Sequence, residues 1–519
     1  MDLARPLPSP FRANIYAPAY CPDWPLPWAG ALPMIAAMAA ILTQIPEDGA
    51  QRPEVLRGPF RMPSRGRTSG RELERAGERS GGARFSAPAS PYDRAIGFLL
   101  PAAAFFLSWW QVGRMPAFNL TMSDIILILC TLLMLVSRGL NARMMGRVSV
   151  LWVGGIAMLL GGMLVGSTMH GDFARWPVVA GQYAFALLLI PMVLANCSLA
   201  MLRKAAVAYI WGVAVSQAVG ITLVNLFSRD LINQYVNKYV VTGNGRLGAF
   251  TGEPNSNGAV CVFALIFLLH AVIGKYLRPV VAVPLALVIV AGMVYSASFT
   301  AFSATILSIG FVLAFSRIRT VITIALPVLI VVGAYVGLGG PVPAVFEQRV
   351  GDAVVSGDPT KAGTFVGRSV LIQEAWEMSG DNLLIGLGSD GYRKASVYGM
   401  PVHQLYLLVL NEGGIVSFLG LSLMFAAMFV HGIFITGRSR TDGVSALAIL
   451  GVFFIYAMSL PHMFARMWNG PVMLMLALAA AGAAASALTT VRRPRWNNRH
   501  LPADGQGAQP ETERTPEAG

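Results

Sequence analysis

The sequence predicts an all-α integral membrane protein with about twelve transmembrane helices and a large extracytoplasmic loop between spans nine and ten. Of its 519 residues, 55% are hydrophobic and only 13% are charged, and the mean hydropathy is +0.59. One globular core could not bury that much apolar surface. Apolar runs of roughly the ~20 residues that cross a ~30 Å hydrocarbon core recur along the chain, and basic residues alternate between the connections.

Residues 1–93 differ from the rest of the chain. They are Pro-rich at first and then rich in Arg, Gly, Ser and Glu, which is too polar to form a core, so we expect a disordered tail. Within this tail the segment 28–45 is apolar but short and contains Pro33. Three interpretations stay open: an extra membrane span, an interfacial helix, or a start of the protein that has been wrongly assigned. The C-terminal residues 497–519 are predicted to be a disordered cytoplasmic tail.

The predicted membrane domain runs from 94 to 496 and its spans follow the apolar runs. These lie at about 95–112, 120–137, 149–168, 176–196, 205–226, 257–273, 279–296, 298–316, 320–339, 403–435, 444–461 and 469–490. If Arg94 is cytoplasmic, every second connection should be basic. Those connections do hold basic residues: Arg138, Arg143 and Arg147; Arg203 and Lys204; Lys275 and Arg278; Arg317 and Arg319; Arg438 and Arg440; Arg492, Arg493 and Arg495. Both ends of the domain are therefore predicted to be cytoplasmic.

The two longest connections, about 227–256 and 340–402, then face outward. A loop of some sixty residues is uncommon unless it has a function, so the functional residues are expected there. Arg246 lies in the first outer loop, and Arg349 and Arg368 lie in the second, which ends at His403. A cation-rich pocket at a membrane surface favours an anionic, lipid-linked substrate.

Several other functions find little support in the composition. The formal charge of +13 is dispersed in short clusters between apolar runs, which does not suggest nucleic-acid binding. Neither an Asp-x-Asp sequence nor a zinc-like spacing occurs, so no metal and no cofactor is expected. The four cysteines, which are Cys21, Cys130, Cys197 and Cys261, are too dispersed to indicate a disulfide framework.

Residues 386–391 fit the G-x-G-x-x-G pattern of dinucleotide sites. Such a site needs a buried strand before the glycines and a helix after them. A loop between membrane spans offers no such setting, so a tight glycine turn is the better interpretation.

Three motifs in order resemble the O-antigen ligase and polysaccharide polymerase superfamily. The first is His403-Gln404, nine residues, Gly414, two residues and Ser417, which is similar to the histidine motif of that family. The second is the block before it, in which Arg368, Trp376, Gly386 and Gly388 take the family's arginine, tryptophan and glycine positions and Leu383 replaces the usual proline. The third is R-x-x-G-x-x-x-x-P-N, matched by Arg246, Gly248, Pro254 and Asn255. The resemblance covers about residues 246–420.

The resemblance implies glycosyl transfer without metal and with inversion at the outer face of the bacterial inner membrane. The donor would be a glycan on undecaprenyl diphosphate, and the acceptor would be a hydroxyl of another glycan or of the lipid A core. His403 would act as the general base. Arg246 and Arg368 would neutralise the diphosphate, with Arg349 as a third candidate. Polymerase and ligase differ in the acceptor, and the sequence leaves that choice open.

Three further residues are candidates for substrate binding. Glu412 lies two helical turns into a span, where it is either functional or structural. His462 and Arg466 are four residues apart, so on a helix they share one side and either line the same cavity or sit at the interface. Membrane lipids and chain-length regulators or export proteins are candidate partners. The alternative functions are a transporter or flippase for lipid-linked sugars and an assembly scaffold.

Overall fold

The computed structural model describes residues 90–491 except 116–118, 171–172, 243, 316–317, 358–364, 460 and 462–463. The described residues form helices and two isolated β-bridges, without a strand. The tail 1–89 with its apolar segment 28–45, the C-terminal tail 497–519 and His462 lie outside them. The first described helix begins at Pro91, ahead of the boundary predicted at 94, because Ser90 caps it and a proline suits its first turn.

The larger helices are labelled α1 to α13 in chain order. They are α1 Pro91–Phe105, α2 Met122–Ser137, α3 Ser149–Met169, α4 Phe173–Ala195, α5 Leu199–Leu226, α6 Pro254–Ile273, α7 Pro279–Ser296, α8 Phe299–Phe315, α9 Ile318–Gly337, α10 Phe365–Asp381, α11 Leu405–Thr436, α12 Arg440–Ala457 and α13 Arg466–Val491. Each predicted apolar run overlaps one of these helices. Only α10 falls within a predicted outer loop.

Eight helices in the described part of the chain are long and apolar enough to cross a membrane, namely α3 to α7 and α11 to α13. The apolar helices α2, α8 and the Ala325–Gly337 part of α9 are shorter. Large apolar side chains stay exposed on the outside of the bundle, as with Val150 at 80% and Leu329 at 66%, which suits contact with lipid. The prediction of an all-α, multi-pass membrane protein is confirmed at this level.

Contacts between helix ends agree with an alternating chain direction. At one end, Asp124 in the first turn of α2 pairs with Arg466 in the first turn of α13. At the opposite end, Asp93 at the start of α1 pairs with Arg138 after α2. There, too, Asp442 at the start of α12 meets His270 near the end of α6. The end at which α2, α6, α11 and α13 begin is called the site end below.

Helix α6 forms the centre of the bundle, and α3 and α11 are its closest-packed pair. Almost all of α6 is buried. Between α3 and α11, a Cβ atom added to Gly162 would lie 2.5 Å from the Gly413 carbonyl oxygen, and one added to Gly155 would lie 2.7 Å from that of Gly420. Small residues let the two backbones approach, as is common between membrane helices. The Ser417 hydroxyl donates across this interface to a carbonyl of α3.

Helix α11 is broken at Gly414, whose backbone angles are φ 65° and ψ −167°. The break frees backbone groups that residues 383–391, called the glycine segment, then satisfy. The N–H groups of Leu387 and Gly388 donate to the carbonyls of Asn411 and Glu412 at 2.8 and 2.9 Å. The N–H group of Ile415 donates to the carbonyl of Leu383, the first residue of the glycine segment, at 2.7 Å. Residues 405–413, called the half-helix, are thereby tied to the glycine segment.

Candidate active site

Arg246 is the buried anchor of the first predicted outer loop, with an exposed fraction of 3%. Its Nε atom donates to the Ser296 carbonyl at 2.8 Å, and its Nη2 atom donates to Oδ1 of Asn255 at 2.9 Å. The same Asn255 oxygen accepts from the hydroxyl of Ser298 at 3.2 Å. Arg246 thus joins its own loop to the connection between α7 and α8 and to the first turn of α6.

Glu253 caps the start of α6 with its side chain. Its carboxylate accepts from the Ser256 backbone N–H at 2.6 Å, the Ser256 hydroxyl at 2.8 Å and Nδ2 of Asn255 at 2.7 Å. The preceding Gly252 has φ 82°, a conformation that glycine adopts without strain, and Pro254 occupies the first turn. Three donors therefore fix the position of the carboxylate at the start of α6.

His403 lies half-buried just before the half-helix, within electrostatic range of two charged residues. Burial lowers the pKa of its imidazole below the usual 6.5; Arg368 lowers it further, and Glu253 acts in the opposite direction. The imidazole is therefore mostly neutral at pH 7 and carries a lone pair that can accept a proton. The start of α11, the first turns of α10 and the start of α6 thus lie near the imidazole. His403, Arg368, Glu253, Asn255 and Arg246 are called the His403 group below.

Tyr456 on α12 lies on the inner side of this group. Its side chain is fully buried, and the charges of Glu253 and Arg246 act on it. Its hydroxyl lies beside the side chain of Ser298. The hydroxyl of Tyr456 is therefore a further polar group next to the His403 group.

An apolar cavity of about 620 Å³ opens beside the His403 group, between α10 and the half-helix. Ser369 and Gln404, the residues directly after Arg368 and His403, are among its lining residues. The remaining wall is mostly apolar or aromatic: Ile372, Gln373, Trp376, Tyr406, Leu407, Leu410 and Phe418. Trp376 is 67% exposed, although it is large and apolar. The cavity can hold a hydrocarbon chain, and the residues that precede Ser369 and Gln404 are the charged Arg368 and the imidazole of His403.

Glu412 lies apart from the His403 group, in contact with the glycine segment. Its side chain is 4% exposed and faces the backbone N–H groups of Asp390 and Tyr392, with Arg175 nearby. A Cβ atom added to Gly386 would collide with the backbone of Glu412. The glycines of the G-x-G-x-x-G pattern thus permit close backbone approach. The role of Glu412 in substrate binding stays a prediction.

Arg466 belongs to a separate cluster at the site end. Its Nε atom lies 3.1 Å from Oδ1 of Asp124, and the exposed fractions of the two side chains are 2% and 0%. Its guanidinium also lies over the rings of Trp110 and Phe185. Arg349 lies half-buried in the π-helical turn Glu347–Gly351. Substrate contacts of Arg466, Arg349 and His462 therefore remain predictions.

Sequence reasoning missed Glu253, Tyr456 and Asp124 as neighbours of the predicted residues. For Glu253 a signal existed, because an acidic residue directly before Pro254 and three positions before Ser256 is typical of a helix start. Tyr456 lies inside an apolar run 53 residues after His403 in the chain, and no local pattern marks it.

In the described residues, no group of three or more His, Cys, Asp or Glu side chains could hold a metal ion.

Comparison with known proteins adds no assignment. No protein-family model matches the chain, and no curated protein matches it. The resemblance to the O-antigen ligase and polysaccharide polymerase superfamily therefore stays a prediction that depends on the three motifs.

Proposed function

We propose that the protein transfers a glycan from undecaprenyl diphosphate to an acceptor hydroxyl at the outer face of the bacterial inner membrane, through a twelve-span membrane domain. The observation that carries this proposal is the meeting of His403 with the charges of Arg368 and Glu253. A neutral base, a cation and a carboxylate at one helix end suit a reaction in which a hydroxyl attacks and a diphosphate leaves.

In the proposed step, His403 removes the proton of the acceptor hydroxyl while its oxygen forms the new bond to the anomeric carbon. The bond between that carbon and the diphosphate oxygen breaks, and the electron pair leaves with the diphosphate. Glu253 stabilises the imidazolium that forms, because its charge favours the protonated ring. A positioned base contributes about 10² to 10⁴-fold to such a rate.

Arg368 is the residue that neutralises the departing diphosphate in this scheme. A guanidinium holds phosphate oxygens in bidentate fashion and stays charged in a partly dry site. Two N–H groups of Arg246 are engaged by Ser296 and Asn255, so it adds charge while it holds Asn255 and, through it, Glu253 in place. The apolar cavity between α10 and the half-helix would receive the first isoprene units of the donor.

The test is a transfer assay with the full chain in lipid nanodiscs and a glycan on undecaprenyl diphosphate. Elongation of that glycan identifies a polymerase, and modification of an added lipid A core identifies a ligase. His403→Ala and Arg368→Lys should each lower product formation by at least about 100-fold. Normal product from either variant contradicts its assigned role.

The matched controls are His431→Ala and Arg229→Lys. His431 lies on α11 in the half beyond the Gly414 break, and Arg229 is exposed in the short helix Arg229–Tyr235. Both variants should keep transfer within about twofold of the parent protein.

The variant Trp376→Ala tests whether the cavity binds the lipid chain. If it does, this variant should raise KM for the lipid donor and leave kcat nearly unchanged.

A second candidate function is transport of the lipid-linked glycan. The break in α11 at Gly414 and the buried Glu412 beside it favour this alternative, because interrupted helices and buried ionisable groups mark the binding sites of many transporters. Reconstituted vesicles that move the labelled donor across the bilayer, without any transfer product and with loss of movement in Glu412→Gln, would support transport.

A further inference from the structure

The cluster around Arg466 has features of a second binding site. Asp124 lies at the start of α2, where its Oδ2 atom accepts from the Thr121 backbone N–H at 2.8 Å and its Oδ1 atom faces Arg466 Nε at 3.1 Å. Both side chains of the ion pair are almost fully buried. One carboxylate therefore serves both the cap of α2 and the guanidinium of α13.

A second guanidinium, that of Arg114, adjoins this ion pair. It lies 5.0 Å from the centre of the Trp110 ring, and the Arg466 guanidinium lies 5.7 Å from the centre of the same ring. Burial lowers the pKa of Arg114 and the charge of Arg466 lowers it further, whereas Tyr239 raises it. Two cations are thus held close together around one tryptophan.

The charges and hydrogen bonds of this cluster do not balance. The cluster holds two guanidinium groups and one carboxylate, and only Arg466 is paired with that carboxylate, which leaves an excess of one positive charge. The Nη1 atom of Arg466 and the Nε atom of Arg114 are buried and have no acceptor in the described residues. Buried donors without acceptors are costly, so native structures usually supply a partner.

The cluster is distinct from the His403 group, although both lie at the site end. The Gln111 N–H donates to the Phe250 carbonyl at 2.9 Å, and Trp468 packs on Tyr456. The carboxylate partner of Arg466 is Asp124, which is not a member of the His403 group. Arg114 is half-buried and Arg466 is fully buried, so Arg114 lies nearer the surface.

We propose that Arg114 and Arg466 form a site for an oxyanion, either a phosphate or a carboxylate group, that reaches the buried Arg466 past Arg114. Guanidinium groups match the geometry of both anions and pair with them in bidentate fashion. The anion supplies the acceptors that Nη1 of Arg466 and Nε of Arg114 lack, and it cancels the excess charge. This site does not depend on the proposed glycosyl transfer.

The test uses the full chain in nanodiscs of neutral phosphatidylcholine, titrated with inorganic phosphate. Binding to the folded state raises the unfolding temperature in proportion to ln(1 + [L]/Kd). We expect such a rise in the parent protein and in the control Arg229→Gln. In Arg114→Gln the affinity for phosphate should fall by at least about tenfold. A parallel series in nanodiscs with phosphatidylglycerol distinguishes a lipid headgroup from a free phosphate.

A second variant covers the case in which Arg114 mainly packs on Trp110. Asp124→Asn combined with Arg466→Gln removes both buried charges together, so neither is left alone. It should also lose the response to phosphate or to phosphatidylglycerol. The proposal is overturned if the parent protein responds to neither ligand, or if Arg114→Gln and the double variant both bind as tightly as the parent.

Discussion

The guanidinium of Arg246 donates from Nη2 to Oδ1 of Asn255 across 2.9 Å. The amide nitrogen of the same asparagine donates to Glu253 across 2.7 Å. The arginine therefore orients the asparagine, and the asparagine holds the carboxylate whose charge acts on His403.

Asn255→Ala should lower kcat of glycosyl transfer by on the order of 10- to 100-fold, because the Glu253 carboxylate loses a donor that fixes its position. KM for the lipid donor should stay nearly constant, since Asn255 positions another residue and does not bind the donor. Steady-state kinetics in nanodiscs measure both. Equal losses in kcat and in donor affinity would instead indicate direct contact with the donor.

The pKa of His403 should respond in opposite directions to its two charged neighbours. Arg368→Gln removes a positive charge that lowers the pKa, so the pKa should rise. Glu253→Gln removes a negative charge that raises it, so the pKa should fall. In the parent protein the neutral imidazole should dominate above a midpoint that lies below pH 6.5.

The midpoint can be measured without turnover. Diethyl pyrocarbonate reacts with neutral imidazole, and mass spectrometry of the His403 peptide gives the reaction rate at each pH. The control Arg393→Gln, at a half-buried residue that pairs with Asp390, should leave the midpoint unchanged. Shifts in the same direction for Arg368→Gln and Glu253→Gln would contradict the arrangement.

Gly414→Ala should destabilise the protein by at least about 1–3 kcal/mol, because φ 65° is strained for alanine. The new Cβ atom would also lie 2.6 Å from the Leu384 carbonyl oxygen. Gly161→Ala on α3 is the control, since its Cβ atom meets nothing within 4 Å and alanine favours helix. Thermal unfolding in the same nanodiscs compares the stabilities of the two variants. If they are equally stable, the positive φ at Gly414 is contradicted.

Asp124→Asn should cost about 3–5 kcal/mol of stability, because it leaves the buried charge of Arg466 without its counterion. Asp124→Asn combined with Arg466→Met should cost much less, since no charge stays buried alone. Thermal unfolding of the two variants gives the comparison. If the single and double variants unfold alike, the ion pair contributes little.

The helices were predictable from the sequence because each apolar run is a local signal. The lengths of the runs and the alternation of basic residues led to the same elements that α1 to α9 and α11 to α13 occupy. The capping of α6 by Glu253 was predictable in principle, since Pro254 follows it directly and Ser256 lies three positions after it. The count of twelve membrane crossings stays a prediction, because eight helices meet the length and hydropathy criteria among the described residues.

The long-range contacts could not be predicted from the sequence. Asp124 and Arg466 pair across more than half of the chain, and no local pattern marks either as a partner of the other. Likewise, the positive φ at Gly414 goes with the carbonyl and N–H groups that the glycine segment provides, and these come from a distant part of the sequence. Such partners become visible only in three dimensions.

The hydrogen bonds across the Gly414 break have a mechanical consequence. The half-helix that follows His403 is held by hydrogen bonds to the glycine segment as well as by the backbone that links it to residues 415–436. We expect these hydrogen bonds to hold His403 in place when bilayer thickness changes the tilt of residues 415–436. The reaction geometry of this protein should therefore be insensitive to the acyl-chain length of the surrounding lipid.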